Sequence, residues 1–277
     1  MIKGLTRAGL GLIGDDTALI EQAAEYGFQA VEADAGHLIG KYGLEGAADL
    51  LKTNGIALAN MSLNVEWRGT EEQFRAGLVA LASEAKASAS LGCLTCSTYI
   101  LPSTDQPSAA FTVAAVRRLR QIASVLDAYG MRFALEFVGS HHLRTLFRNP
   151  FIYTMEDTLQ LIDAIGSANV GMLLDSYHWY TNGLGREDIE KLSPHQVVYV
   201  HINDAKDAPI EQLLDNDRLY PGEGVIDLLG FLQSLRTIGY KGVVAQEVIQ
   251  RQPVELTGSQ SLQRTKSCFD RLFDGLG

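Results

Sequence analysis

The chain has 277 residues, 46% of them hydrophobic and 20% charged, with only 7 Pro, which is the composition of an ordinary globular protein and not of a low-complexity or fibrous one. Its 23 Lys and Arg stand against 33 Asp and Glu, and the formal net charge of −10 argues against a phosphate backbone as partner. No apolar run approaches the roughly 18 residues of a membrane helix, and an odd count of 3 Cys suits a reducing compartment better than a disulfide framework, so a cytoplasmic protein with no membrane or nucleic-acid partner is expected.

One pattern recurs along the chain: a short β-branched or apolar run, a polar junction, then a helical stretch closed by a breaker. It predicts a strand at Gly4–Leu12 and a helix at Thr17–Tyr26, then a strand at Phe28–Asp34 and a helix at Leu44–Asn54. A strand at Ile56–Asn64 precedes a helix at Glu71–Leu91, and Leu94–Ile100 precedes Ala109–Tyr129. The second half gives strands at Arg132–Val138, Val170–Ser176, Val197–Asn203 and Val243–Ile249, with helices at Met155–Ile165, Ile226–Ile238 and Gly258–Phe273. Gly27, Gly92, Gly130 and Gly239 each fall between a helix and the next strand, where a left-handed cap is needed.

Near-continuous apolar strands suit a parallel sheet covered on both faces. Eight such units of about 35 residues match a single-domain (β/α)8 TIM barrel over residues 1–277. The competing open doubly wound sheet lacks the G-x-G-x-x-G turn after its first strand.

A barrel of this kind builds its site at the carboxyl ends of its strands. Strand five ends with Glu136, strand six with Asp175, strand seven with His201 and strand eight with Glu247, each after an apolar run. One strand-end carboxylate is commonly a rim residue; four ionisable groups on consecutive strands around one mouth point to a shared divalent cation, which offsets the cost of burying them. Three carboxylates and an imidazole form a hard donor set, so Mn2+ is favoured, with Mg2+, Co2+ or Zn2+ also admitted.

The segments Leu135-Glu136-Phe137-Val138-Gly139, Asp175-Ser176-Tyr177-His178, His201-Ile202-Asn203-Asp204 and Asp217–Gly224 resemble the xylose isomerase-like TIM-barrel superfamily. They are most similar to its 2-keto-myo-inositol isomerase and D-tagatose 3-epimerase groups. The resemblance implies that Glu136, Asp175, His201 and Glu247 bind one metal ion, and that His178 and Arg218 contact substrate oxygens. It further implies an isomerase or epimerase of a keto-sugar, keto-cyclitol or 3-keto-glycoside. Such an enzyme works through a metal-stabilised cis-enediolate, with Glu136 and Glu247 as acid/base groups. A dehydratase of the 3-dehydroshikimate type on the same metal site is the alternative. A trinuclear endonuclease is disfavoured because strands three and four end without His.

Other signals are weaker. Asn64, Trp67, Tyr99 and Trp179 follow strands three, four and six, where they could meet a sugar ring or simply pack in loops. Arg144 and Arg148 in the loop 140–150 could bind a substrate anion or stay solvated. Glu32 and Asp34 read as rim residues, Asp204 as a support for His201 or a turn cap, and Cys93-Leu94-Thr95-Cys96 as structural. The expected partner is a small sugar or cyclitol; homo-oligomerisation is left open.

Overall fold

A computed structural model describes residues 1–277. Eight barrel strands run in chain order: β1 Ile2–Leu5, β2 Ala30–Val31, β3 in two pieces at Ala57–Leu58 and Met61–Ser62, β4 Thr95–Ile100, β5 Arg132–Phe137, β6 Val170–Asp175, β7 Val197–Ile202 and β8 Val243–Gln246. Every pairing among them is parallel, and each strand pairs with its sequence neighbours, β8 closing on β1 through Ile2 opposite Val243. The two pieces of β3 are the sheet's two ends, one on β2 and the other on β4. Only Ala59 and Asn60 lie between them, so the barrel closes through the chain of a single strand.

All six residues of β6 and of β7 are buried, as a strand covered on both faces requires. The inner layer is made of small and flat side chains, including Ala30, Ala59, Ala134, Leu173, Tyr199 and Ala245. The larger core lies between the sheet and the helices. Register then matters for the site: Asp175 stands directly opposite His201 across β6 and β7, and His201 opposite Ala245, two residues before Glu247.

The first half departs most from the sequence expectation. β1 ends at Leu5 and not Leu12, because Gly9, Gly11 and Gly14 all take positive φ and turn the chain, leaving Leu12 94% exposed. The helix expected at Leu44–Asn54 is the second part of α2 (Ala35–Asn54), which kinks at Gly43 and follows α1 (Asp16–Glu25). Its first turns carry Gly36 and Gly40, poor helix formers that hide a helix capped by the Asp34 carboxylate, which accepts from His37 N. α3 (Glu71–Ser90) begins with a Thr70–Gln73 capping box. The loop 140–150 is ordered by a short helix at His141–Arg144 and by an antiparallel ladder pairing Ser103–Thr104 with Asn149–Pro150. No helix is long and apolar enough to cross a membrane.

Candidate metal centre

Glu136, Asp175, His201 and Glu247 converge at the mouth, each offering one ligand atom, and these atoms lie within 4.8 Å of one another. The His201 imidazole is the centre of the group. Its Nδ1 is 3.3 Å from Glu247 Oε2, 3.5 Å from Glu136 Oε1 and 3.9 Å from Asp175 Oδ2, while its Nε2 is 3.5 Å from Glu32 Oε1. His201 Nδ1 and Glu136 Oε1 are buried without a hydrogen-bond partner. Two unpartnered polar atoms facing each other inside a protein cost about 1–3 kcal/mol each. A cation that accepts lone pairs from both removes that cost, so the donor set fits a divalent ion on the Nδ1 side of His201. Glu32 on the Nε2 side then orients the ring, as a carboxylate commonly does behind a metal-binding histidine.

Arg218 is the fixed positive charge of the centre. Its Nη1 donates to Asp175 Oδ2 (2.9 Å) and Glu247 Oε2 (2.8 Å), its Nη2 to Asp215 Oδ1 (2.9 Å), and its Nε to the Asp215 carbonyl (2.9 Å). Both Arg218 and Asp175 are buried. The loop carrying Arg218 is organised by Asp204, whose carboxylate accepts from the backbone N–H groups of Ala205, Gly222, Gly224 and Ile226. Asp204 therefore acts on the Pro221–Gly224 turn, the capping alternative of the sequence reading, and not on His201.

Burial and charge pull the four groups apart. Burial raises the Glu136 carboxyl above its ordinary value, with Glu247 adding to the rise. Burial acts the same way on Glu247, but His201 and Arg218 outweigh it and hold that carboxyl well below its usual range. Burial opposes a charge on His201, yet Glu247, Glu136 and Glu32 together raise it well above an ordinary imidazole. Around Arg218 burial is likewise overcome, by Asp175, Asp215 and Glu247.

The remaining expected site residues divide. Asn64 and Tyr99 line a cavity of about 270 Å3 together with Glu136, His201 and Glu247. His178 is buried beside the candidate metal group: Gly139 N–H donates to its Nδ1 (3.2 Å), and its Nε2 lies 3.3 Å from Arg218 Nη2 and 3.6 Å from Asp215 Oδ1. Trp67 turns away from that cavity, stacking on Phe111 at 5.9 Å and donating from Nε1 to Thr98 Oγ1. Trp179 packs between strands and helices against Phe231 at 5.3 Å, with Nε1 on the Gly185 carbonyl. Arg144 donates to the Gly139 and Thr181 carbonyls and lies over Tyr153, so it fastens the loop instead of facing solvent.

Sequence reasoning missed Asn60, Arg68 and Asp215. Asn60 Nδ2 donates to Glu32 Oε1 (3.1 Å) and Ser97 Oγ (2.8 Å). Arg68 is sandwiched by Trp67 and Tyr99 at 4.7 and 4.3 Å and lines the same cavity as Glu136, His201 and Glu247. Asp215 sits two residues before Asp217, the first residue of the recognised segment, which is the nearest thing to a signal it carries. Cys93, Cys96 and Cys268 are all free and buried.

Comparison with known proteins places this geometry in a family. A xylose isomerase domain protein from Alicyclobacillus acidocaldarius superposes with a TM-score of 0.92 at 35% identity, covering 100% of this chain and 99% of that one. The inosose isomerase of Bacillus subtilis is 33% identical over 148 residues, which is 53% of this chain and 51% of that protein, so the match spans about half of each. A crystal structure of the IolI protein with a bound zinc atom has the same fold, with a TM-score of 0.83 at 21% identity over 100% of this chain and 99% of that one. The model of the xylose isomerase-like TIM barrel matches residues 20–268, and the chain belongs to that family.

Proposed function

We propose that this chain is a divalent-metal-dependent isomerase or epimerase of a keto-sugar, keto-cyclitol or 3-keto-glycoside. The observation that carries the reading is the convergence of Glu136, Asp175, His201 and Glu247 with two buried atoms left unpartnered. Inosose isomerases among the relatives support the chemistry, and the zinc in the IolI neighbour supports a divalent ion in a site of this fold. The hard donor set keeps Mn2+ the favoured metal, with Mg2+, Co2+ and Zn2+ as alternatives.

An ion held by these four residues supplies Lewis-acid polarisation to a substrate carbonyl and its neighbouring hydroxyl. Everything else falls to the protein. Glu136 on β5 and Glu247 after β8 approach from strands separated by β6 and β7, so they flank a bound ring from two sides. One takes the proton from the carbon beside the carbonyl, and the other returns a proton to inverting effect, or one carries it between carbons. Arg218 holds Glu247 ionised and in place, and Glu32 fixes His201. Asn64 and Tyr99, on the cavity wall, meet the hydroxyls and face of the ring.

The test is proton NMR in D2O with Mn2+-loaded protein, offering inososes, ketohexoses, 3-keto-glucosides and 3-dehydroshikimate separately. Deuterium entering an interconverted product is the expected result. Loss of water from 3-dehydroshikimate alone would replace the isomerase reading with a dehydratase on the same residues.

A further inference from the structure

Two arginines of this chain, Arg68 and Arg118, keep a buried Nε with no hydrogen-bond partner. Their surroundings set them apart. Arg118, on α4 (Ser108–Asp127), is 7% exposed and donates from Nη1 to the Trp67 and Gly69 carbonyls at 2.8 Å each and from Nη2 to Glu71 Oε2 at 3.2 Å. It borders neither the cavity of Glu136, His201 and Glu247 nor a larger one of about 450 Å3 bordered by β3 and α3. Its donors are used to pin the segment Trp67–Gly69 to the fold.

Arg68 lies in the middle of that pinned segment. Besides the rings on its two faces, its Nη2 donates to the Tyr99 carbonyl (3.2 Å), its backbone N–H donates to Glu66 Oε1 (2.9 Å), and its backbone carbonyl accepts from Gln106 Nε2 (3.0 Å). The guanidinium is therefore immobilised before any ligand arrives, and a ligand need not order it. Most of its donors are nevertheless unused. Nη1 stands 3.6 Å from Glu66 Oε1, beyond a hydrogen bond, and the Glu66 side chain is 51% exposed, which makes it a weak ionic partner. Burial is the largest influence on the group and lowers its pKa, with Tyr99 and Glu66 opposing. With both faces covered, what this cation lacks is an acceptor in its own plane.

Its position says what that acceptor belongs to. Tyr99 stands directly opposite Glu136 across β4 and β5, and Arg68 borders the cavity of about 270 Å3 shared with Glu136, His201 and Glu247, the only Arg or Lys to do so. The same wall carries four carboxylates, Glu32, Glu66, Glu136 and Glu247. An anionic substituent would meet their repulsion. A hydroxyl oxygen carries no charge, accepts from the guanidinium and keeps its own proton for a neighbouring carboxylate.

We infer that Arg68 is a specificity-determining residue, whose guanidinium edge donates to a neutral substrate oxygen outside the pair that meets the metal. The inference rests on the isomerase reading for the reacting pair, which lies over β5–β8, whereas Arg68 follows β3 across the mouth. Arg68 then selects among polyols by where they place that oxygen, and the acidic wall around it disfavours substrates that carry a carboxylate.

The test is NMR of the full chain labelled with 15N-arginine and loaded with Mg2+, which does not broaden signals as Mn2+ does. The Nε–H signal of Arg68 is assigned by its loss in Arg68→Lys, and that of Arg118 serves as the internal control. Saturating 2-keto-myo-inositol or D-fructose is expected to shift the Arg68 signal downfield and leave the Arg118 signal in place; 3-dehydroshikimate is expected to move neither. In steady-state assays on the same neutral substrates, Arg68→Met should raise KM about tenfold or more and change kcat less than about twofold, as loss of a contact made equally in ground and transition states does. Arg68→Lys, which keeps the charge and loses the planar fork, should show a similar rise. An Arg68 signal unmoved in the saturated parent protein, equal shifts of both arginines, or a shift with 3-dehydroshikimate alone would overturn the proposal, as would a fall in kcat at constant KM. A selective Arg68 shift with no deuterium exchange on either sugar would instead uphold Arg68 and remove the isomerase reading.

Discussion

The two halves of this barrel are built differently. From β5 to β8 the strands are six residues long in three cases, and each carries at or beside its carboxyl end one member of a mutually wired group. From β1 to β3 they are two to four residues long, glycine turns follow the first, and the third is broken. Long paired strands fix side chains to a fraction of an ångström, which acid/base and metal chemistry requires. On the side of the short strands lies the larger cavity, about 450 Å3, bordered by residues from β3 and α3. Rigidity and space are thus assigned to opposite sides of one mouth.

The largest effect that would break this division is on the rigid side. Glu247→Gln is expected to lower kcat about a hundred- to ten-thousandfold while far-ultraviolet circular dichroism stays unchanged, because the amide keeps the shape and loses the proton acceptor. Unchanged turnover would remove Glu247 from the acid/base pair.

Arg218→Met comes next. It leaves Asp175, Asp215 and Glu247 buried without their guanidinium, at about 3–5 kcal/mol in the metal-free protein. Since a cation bound at Asp175 and Glu247 restores part of that charge, Mn2+ should raise the melting temperature of the variant more than that of the parent. Thermal shifts with and without the ion decide it.

Asp204→Ala is smaller, at about 2–3 kcal/mol by urea unfolding, since four backbone N–H groups lose a charged acceptor and the Arg218 loop loosens. A pH effect sharpens the same side. With its carboxylate neighbours raising the His201 pKa well above the ordinary value, the ring holds a proton more tightly than a free imidazole does, and protons compete with an ion for its coordinating nitrogen. Ion binding should therefore be coupled to proton release, seen as a buffer-dependent heat in calorimetry, and affinity should fall as pH falls. The smallest effect is Trp179→Phe, expected to cost about 1 kcal/mol through the Gly185 hydrogen bond and to leave kcat/KM unchanged.

The same contrast explains what was legible in the sequence. Glu136, Asp175, His201 and Glu247 each follow an apolar strand run, so strand ends and candidate ligands could be read together from local pattern. Glu32 lay in the sequence as a strand-end carboxylate, but its contact is His201, 169 residues away, and only the closed sheet brings them together. Asp215 meets His178 and Ser140, and Asn60 meets Glu32 and Ser97, partners far along the chain that no local spacing records. Trp67 and Trp179 show the converse. Position after a strand placed both near the mouth, and side-chain direction, set by packing on Phe111 and Phe231, turned both away from the metal cavity.

The central claim is that one divalent ion is held by four residues from β5 to β8. Equilibrium dialysis of the chelator-stripped protein against Mn2+, followed by elemental analysis, tests it most directly. One ion per chain in the parent, and none in His201→Ala at the same free concentration, is the predicted result. No bound ion in the parent, or a full ion retained by His201→Ala, would contradict the account.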